Sequence, residues 1–152
     1  MDLKIRKAER NDLPQLLALY PHLAPDDTIP SLDVAESRFA ALQKFDGSAI
    51  FVGLVDDTAV CSCTLVIIPN LTRGGMPYAL IENVVTHESF RGRGFGKLVL
   101  RAAVEAAWQA DCYKAMLLTG SKKPSPLAFY ESAGFEQNKT GFLVRRHPVR
   151  SD

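Results

Sequence analysis

The stretch "THESFRGRGFGKLVL", Thr86 to Leu100, constrains this chain more than any other. It joins a strand-like run, "ALIENVVTH", to a helix-like run, and sets Gly92, Gly94 and Gly96 among Arg91, Arg93 and Lys97. A helix N-terminus carries unpaired backbone N–H groups and a partial positive charge. Glycines there remove the side chains that would hold an anion away from those groups, and they permit the positive φ of a turn lined with N–H groups. A strand feeding such a turn aims it at the end of a sheet. The stretch therefore predicts a phosphate cradle at a strand–helix junction, with the three cations supplying mobile charge. A simple tight turn needs one or two glycines, not three at the opening of a helix.

Two phosphate motifs fail here. A dinucleotide fingerprint starting at Gly92 and Gly94 needs its third glycine at position 97, which is lysine. A P-loop ending at Gly96–Lys97 needs glycine where Arg91 stands and Ser or Thr where Leu98 stands.

The flanking chain reads as one mixed α/β layer structure. "LKIRKA" alternates apolar and charged residues and predicts a strand. "RNDLPQLLALYPHL" predicts a helix capped by Asn11 or Asp12, with Pro14 in its first turn. "PSLDVAESRFAALQKF" predicts a second helix with Val34, Phe39, Leu42 and Phe45 as its apolar stripe. "SAIFVGLVDD" and "TAVCSCTLVIIPN" form a hairpin signature around Asp56 and Asp57. A long helix is expected from about Gly94 to Ala110, with Lys97, Arg101, Glu105 and Gln109 as its wet stripe. "YKAMLLTG" predicts a strand and "SPLAFYESAG" a short helix ended by Gly134. "FEQN" and "TGFLVRR" predict two closing strands.

Length and charge narrow the class further. The 152 residues suit a single domain, residues 1–152. A formal charge of +1 gives no global pull toward nucleic acid or an anionic membrane. No run reaches the ~18 apolar residues of a membrane span, and "MDLKIRKAERNDL" lacks the apolar core of a signal peptide. Three cysteines, with no second Cys/His cluster, predict reduced packing thiols in a cytoplasmic protein and no metal site. Cys61 and Cys63, two apart in a strand, should share one sheet face.

The loop fits R-x-x-G-x-G through Arg91, Gly94 and Gly96. Here the chain resembles the GCN5-related N-acetyltransferase (GNAT) family, whose loop of this kind binds the pyrophosphate of acetyl-CoA. "IENVVTHESFRGRGFGKLVL" is similar to the family's strand, loop and helix in full, and "LAFYESAGF" to its second motif. The match runs from about Ala79 to Phe135; the first 78 residues agree only in their order of elements. Within the family, "DCYKAMLL" and "FYESAGF" are also similar to glucosamine-6-phosphate N-acetyltransferases, although Asn83 stands where those enzymes tend to have an aspartate.

The resemblance implies a mostly antiparallel mixed sheet of about seven strands and about four helices, splayed at the cofactor-binding strand. It implies acetyl-CoA as co-substrate, bound by the main chain of Val84, Val85 and Thr86, by the loop from Arg91 through Gly92, Arg93, Gly94, Phe95 and Gly96 to Lys97, and by Ser125. Capping the short helix is an equal explanation for Ser125. A backbone N–H near Val84 or Val85 would face the thioester oxygen. Tyr130 would protonate the coenzyme A thiolate. Glu82 is the candidate base, acting through a water, with a bare water chain as the alternative; His87 fits an N-capping role better. The expected acceptor is a primary amine on a small molecule, with an anionic group among the options and direct attack preferred to a covalent acetyl-enzyme. A non-catalytic acyl-CoA-binding module is the competing reading. A homodimer is also among the expectations.

"LTRGGMPY" is longer than a hairpin needs. Its Arg73 is expected near the acceptor entrance or a subunit contact, against the alternative of a solvated arginine on a mobile loop.

Overall fold

The computed structural model describes residues 1–120 and 123–147. They fall into two compact units, Met1–Leu117 and Leu118–Asp152. The first contains β1 (Lys4–Lys7), α1 (Leu13–Leu19), α2 (Leu32–Gln43), β2 (Ala49–Val55), β3 (Thr58–Ile68), β4 (Tyr78–Thr86), α3 (Phe95–Gln109) and β5 (Ala115–Met116). The second contains α4 (Pro124–Ser132).

The strands form one sheet in chain order, antiparallel except where β5 lies parallel to β4. The β2–β3 hairpin turns on Asp56 (φ 48°) and Asp57 (φ 60°). Positive φ at both central residues matches the strand twist, and Asp tolerates it better than most side chains. Gln15 of α1 locks this turn, accepting from Ala59 N–H at 2.8 Å and donating to the Asp57 carbonyl at 3.1 Å.

Alternation divides β2 between two cores. Val52 and Leu54 meet Leu13, Leu16, Ala35 and Phe39 of α1 and α2. On the other face, Val99, Leu100, Ala103 and Ala107 of α3 are fully buried over the sheet. Cys61 and Cys63 do share that face: their thiols donate to the Phe95 and Val99 carbonyls, each at 3.7 Å. Gly53 is required opposite Cys61, because a Cβ there would lie 2.5 Å from Cys61 Sγ. In α3, Arg101, Glu105 and Gln109 are exposed as expected and Lys97 is half-buried.

Three expectations change. The sheet has five strands, not seven. "FEQN" and "TGFLVRR" form no strand among the described residues, and Phe142, Leu143 and Val144 are 93%, 70% and 94% exposed. β-branched and aromatic residues favour a strand, but only a partner edge makes one. The stripe of α2 is Ala35 and Phe39, while Val34 and Phe45 are exposed, since the helix meets the sheet along a narrower line than its sequence suggests. Finally, Asp12 does not cap α1 with its side chain. It accepts from Glu9 N–H at 2.7 Å and takes Arg6 in a two-pronged pair at 2.7 and 3.0 Å.

Candidate active site

β4 carries the centre of the site. It pairs with β3 over its whole length, but with β5 only at Ala79 and Leu80. From Ile81 onward one edge of β4 is therefore without a strand partner among the described residues. On the β3 side the register slips between Ser62 and Thr64: Asn83 and Val84 stand opposite Cys63 alone. This is a β-bulge, and Asn83 supplies its left-handed residue at φ 55°. Glu82 and Asn83 are exposed, Val84 half-buried and Val85 buried. Glu82 thus meets solvent at the bulge and escapes the desolvation cost of a core carboxylate.

The strand runs out into a 3-10 turn, Glu88–Phe90, and then the glycines. His87 caps this turn, its Nδ1 accepting from Ser89 N–H at 3.1 Å, as its sequence context suggested. Its own N–H donates to the Val60 carbonyl at 2.8 Å and extends the ladder. By antiparallel alternation Thr86 then turns its main chain to the other edge, where its carbonyl accepts from Arg91 Nε at 3.2 Å.

Gly92 (φ 76°) and Gly94 (φ 81°) are both left-handed, and Gly94 is the N-cap of α3. A Cβ at either would meet nothing within 4 Å. No packing against the protein demands these glycines; backbone conformation and an open approach do. The first turn of α3 has no capping side chain, so the N–H groups of Phe95, Gly96 and Lys97 are left at the mouth of the loop, with Leu98 N–H the first to close on Gly94 O at 3.1 Å.

The three cations differ. Arg91 is committed internally: besides Thr86 O, its Nη2 donates to the His22 carbonyl at 2.7 Å. Arg93 lies 5.5 Å from the centre of the Phe90 ring and touches Met1 Sδ. Lys97 rises from the first turn of the helix.

In the second unit, α4 begins at Pro124, so Ser125 sits inside the helix and exposed, not at its cap. Tyr130 is half-buried, in edge contact with Phe129 (5.1 Å) and Phe135 (6.4 Å). Burial raises its phenol above the ordinary tyrosine value, so it is neutral, with its proton, at pH 7. Gly134 (φ 96°) ends the helix, and Phe135 N–H closes back on Tyr130 O at 3.1 Å.

The cysteines offer no nucleophile. Burial pushes the Cys61 and Cys63 thiols up to about 12, and burial also raises Cys112. Arg73 lies in the 3-10 turn before β4, at the end of that strand opposite Thr86. Its guanidinium sits 5.4 Å from the centre of the Tyr113 ring. An open cleft of about 620 Å³ near this end, lined by Lys44, Gly47, Ile67, Asn70 and Pro77 among others, includes none of the expected site residues.

Two features escaped the sequence reading. The bulge had one signal, an asparagine in a strand, since Asn adopts positive φ more readily than most residues. The part played by His22 had none, because its partners lie 66 and 69 residues away.

Comparison with known proteins follows the same outline. The model of the acetyltransferase (GNAT) family matches residues 16–135. A glucosamine 6-phosphate N-acetyltransferase of Trypanosoma brucei brucei is 33% identical over 141 residues, covering 91% of this chain and 92% of that protein. Among solved structures, a putative acetyltransferase from Agrobacterium tumefaciens str. C58 is 51% identical with a TM-score of 0.89, over 94% of this chain and 99% of that one. The Arabidopsis thaliana glucosamine-6-phosphate N-acetyltransferase shares the fold at 21% identity, with a TM-score of 0.86 over 97% and 100% of the two chains.

Proposed function

The chain belongs to the acetyltransferase (GNAT) family, and on that premise we propose that it is an N-acetyltransferase moving the acetyl group of acetyl-CoA directly onto a small primary amine. The observation that carries the reading is the run from bulged β4 through two left-handed glycines to the uncapped N-terminus of α3. The family match crosses from one compact unit to the other, which supports reading the chain as a single catalytic domain.

Acetyl-CoA is the donor. Its pyrophosphate would take the N–H groups between Gly92 and Lys97, with Arg93 and Lys97 as charge and Arg91 as the brace of the loop. The main chain of Val84, Val85 and Thr86 would pair with the pantetheine arm along the open edge, Ser125 contributing from α4. An N–H near Val84 or Val85 would hold the thioester oxygen as it gains charge. The amine nitrogen attacks the carbonyl carbon and the carbon–sulfur bond breaks. The amine proton passes to Glu82 through a water, and Tyr130 gives its proton to the departing thiolate. Direct attack is favoured because the three thiols are buried and held protonated.

The acceptor is a small amine bearing an anionic group, and glucosamine 6-phosphate is the first to test, given the Trypanosoma relative. We further propose a cytoplasmic enzyme, with a homodimer as one option for its assembly. No helix among the described residues is long and apolar enough to cross a membrane.

The test is turnover of acetyl-CoA against a panel of amines, with Tyr130→Phe beside the native enzyme. Turnover should appear with at least one amine, and Tyr130→Phe should lower kcat roughly ten- to a thousandfold at unchanged acetyl-CoA affinity. Acetyl-CoA binding without turnover on any amine would return the chain to a non-catalytic acyl-CoA-binding module.

A further inference from the structure

The end of α1 is tied to the glycine loop by two histidines and Arg91. His22 closes the 3-10 turn Tyr20–His22 after α1. Its ring lies 4.0 Å from that of His87, centre to centre, at a 40° tilt. Each ring accepts a backbone N–H at Nδ1: His22 from Glu88 at 3.4 Å, His87 from Ser89 at 3.1 Å. Arg91 grips the His22 carbonyl from the other side. From His87 an aromatic run continues to the edge of Phe90 (5.7 Å) and on to Phe95 (6.3 Å), the first residue of α3. The segment 87–91 that sets the direction of the loop is thus held in part by two Nδ1 acceptors that exist only on neutral imidazoles.

We infer that His22 and His87 are positioning residues that seat the glycine loop for acetyl-CoA only while both are neutral, so that cofactor affinity falls on acidification. The inference rests on reading Gly92 to Lys97 as the phosphate cradle. An imidazolium donates from both nitrogens and accepts at neither. Protonating His87 would set an N–H against the N–H of Ser89, and protonating His22 would do the same against Glu88. A doubly charged pair would also repel itself at 4.0 Å. Arg91 reaches the His22 carbonyl, and Glu88, whose N–H meets His22, follows His87 on the 3-10 turn; β3, β4 and that turn also bring Val60, Thr86 and Phe90. Arg91 adds positive charge and opposes a second cation. A histidine acting instead as a phosphate ligand would give the opposite sign, binding the anion more tightly as it gained charge.

The test is calorimetry of coenzyme A binding from about pH 8 to about pH 5.5, at fixed ionic strength. The native chain is compared with His87→Asn, His22→Asn/His87→Asn and His87→Phe. Asparagine keeps an acceptor near the place of Nδ1 and does not titrate; phenylalanine keeps a ring and loses the acceptor. The 3′-phosphate of coenzyme A titrates in the same interval, and the asparagine variants carry that background. The native chain should lose about three- to tenfold more affinity over the interval than they do, the scale of one proton released on binding. The phenylalanine variant should bind weakly at every pH. Equal slopes in native and asparagine chains, or native affinity rising on acidification, would overturn the inference and leave the cradle standing. No binding at any pH would overturn the cradle and the inference together. Near-UV circular dichroism checks folding, and if the double variant does not fold, His87→Asn alone decides.

Discussion

The loops at the two ends of β4 use the same ingredients to opposite effect. The one before it has Arg73, Gly74 and Gly75, all at positive φ (57°, 69° and 85°). The one after it has Arg91, with Gly92 and Gly94 at 76° and 81°. Each passes through a 3-10 turn. The first is closed on itself. Gly75 and Met76 donate to Thr72 and Arg73 carbonyls at 3.0 and 3.4 Å, and Asn70 Nδ2 reaches Thr72 O, Thr72 Oγ1 and Met76 O at 3.3, 3.0 and 3.2 Å. It then enters a strand, whose amides go to the ladder. The second loop pairs its amides only as far as Arg91 and then enters a helix, whose first amides have no carbonyl to reach. Glycine at positive φ does not by itself make an anion site; the element that follows decides whether donors are left over.

The largest expected effect breaks this comparison directly. Gly94→Val and Gly75→Val impose similar backbone strain, about 1–2 kcal/mol each, because both φ values are positive and a Cβ at either meets nothing within 4 Å. Their melting temperatures should fall alike. Only Gly94→Val should weaken acetyl-CoA binding, by roughly a hundredfold, the order of a lost set of charge-assisted hydrogen bonds. Equal affinities in the two variants, measured by calorimetry, would mean that the loop after β4 holds no phosphate.

A smaller effect separates the two arginines. Arg91→Met keeps a long stem but frees the carbonyls of Thr86 and His22. Cofactor affinity should fall about tenfold, the scale of one or two lost hydrogen bonds, through misplacement of the loop. Salt dependence resolves the route: a brace leaves the slope of affinity against ionic strength as in the native chain, whereas a phosphate ligand lowers it. Smaller again, Asn70→Ala should open the first loop at a cost of about 1 kcal/mol, or roughly 3 °C in melting temperature, with acetyl-CoA affinity unchanged.

What the sequence made legible was local. The glycine loop, the helix behind it and the Asp56–Asp57 hairpin are each written within a dozen residues, where period and turn chemistry operate. What it hid depends on partners. "TGFLVRR" has the composition of a strand, yet among the described residues it forms none and stays exposed. The bulge at Asn83 appears only when β4 is laid against β3, two residues opposite Cys63 alone. Arg91 read as a free cation because the carbonyl it grips belongs to a residue 69 positions earlier. Of the site, the loop and the strand were therefore visible, and the scaffold that orients them was not.

The smallest expected effect concerns Arg73, where the two loops leave the widest choice. The sequence sets Arg73 near the acceptor entrance or a subunit contact, or solvated on its loop; its guanidinium lies over the Tyr113 ring, beside Lys114, whose Nζ sits 5.4 Å from both the Tyr78 and Tyr113 ring centres. An exposed contact of this kind is worth about 0.5–1 kcal/mol, too little to prevent the side chain from swinging to an anionic ligand. If it does swing, Arg73→Ala should raise the acceptor KM several-fold and leave the acetyl-CoA KM alone, because the loop before β4 lies at the opposite end of that strand from the glycine loop. If it stays on the ring, both KM values remain native and only stability falls, by the small value of the contact. Tyr113→Leu distinguishes the two further. It removes the ring but not the charge, so an arginine that serves the acceptor is released to it and the acceptor KM holds or falls. An acceptor KM unmoved by Arg73→Ala would make the loop before β4 a purely structural closure and leave the acceptor to the side of the bulge, where Glu82 and Asn83 meet solvent.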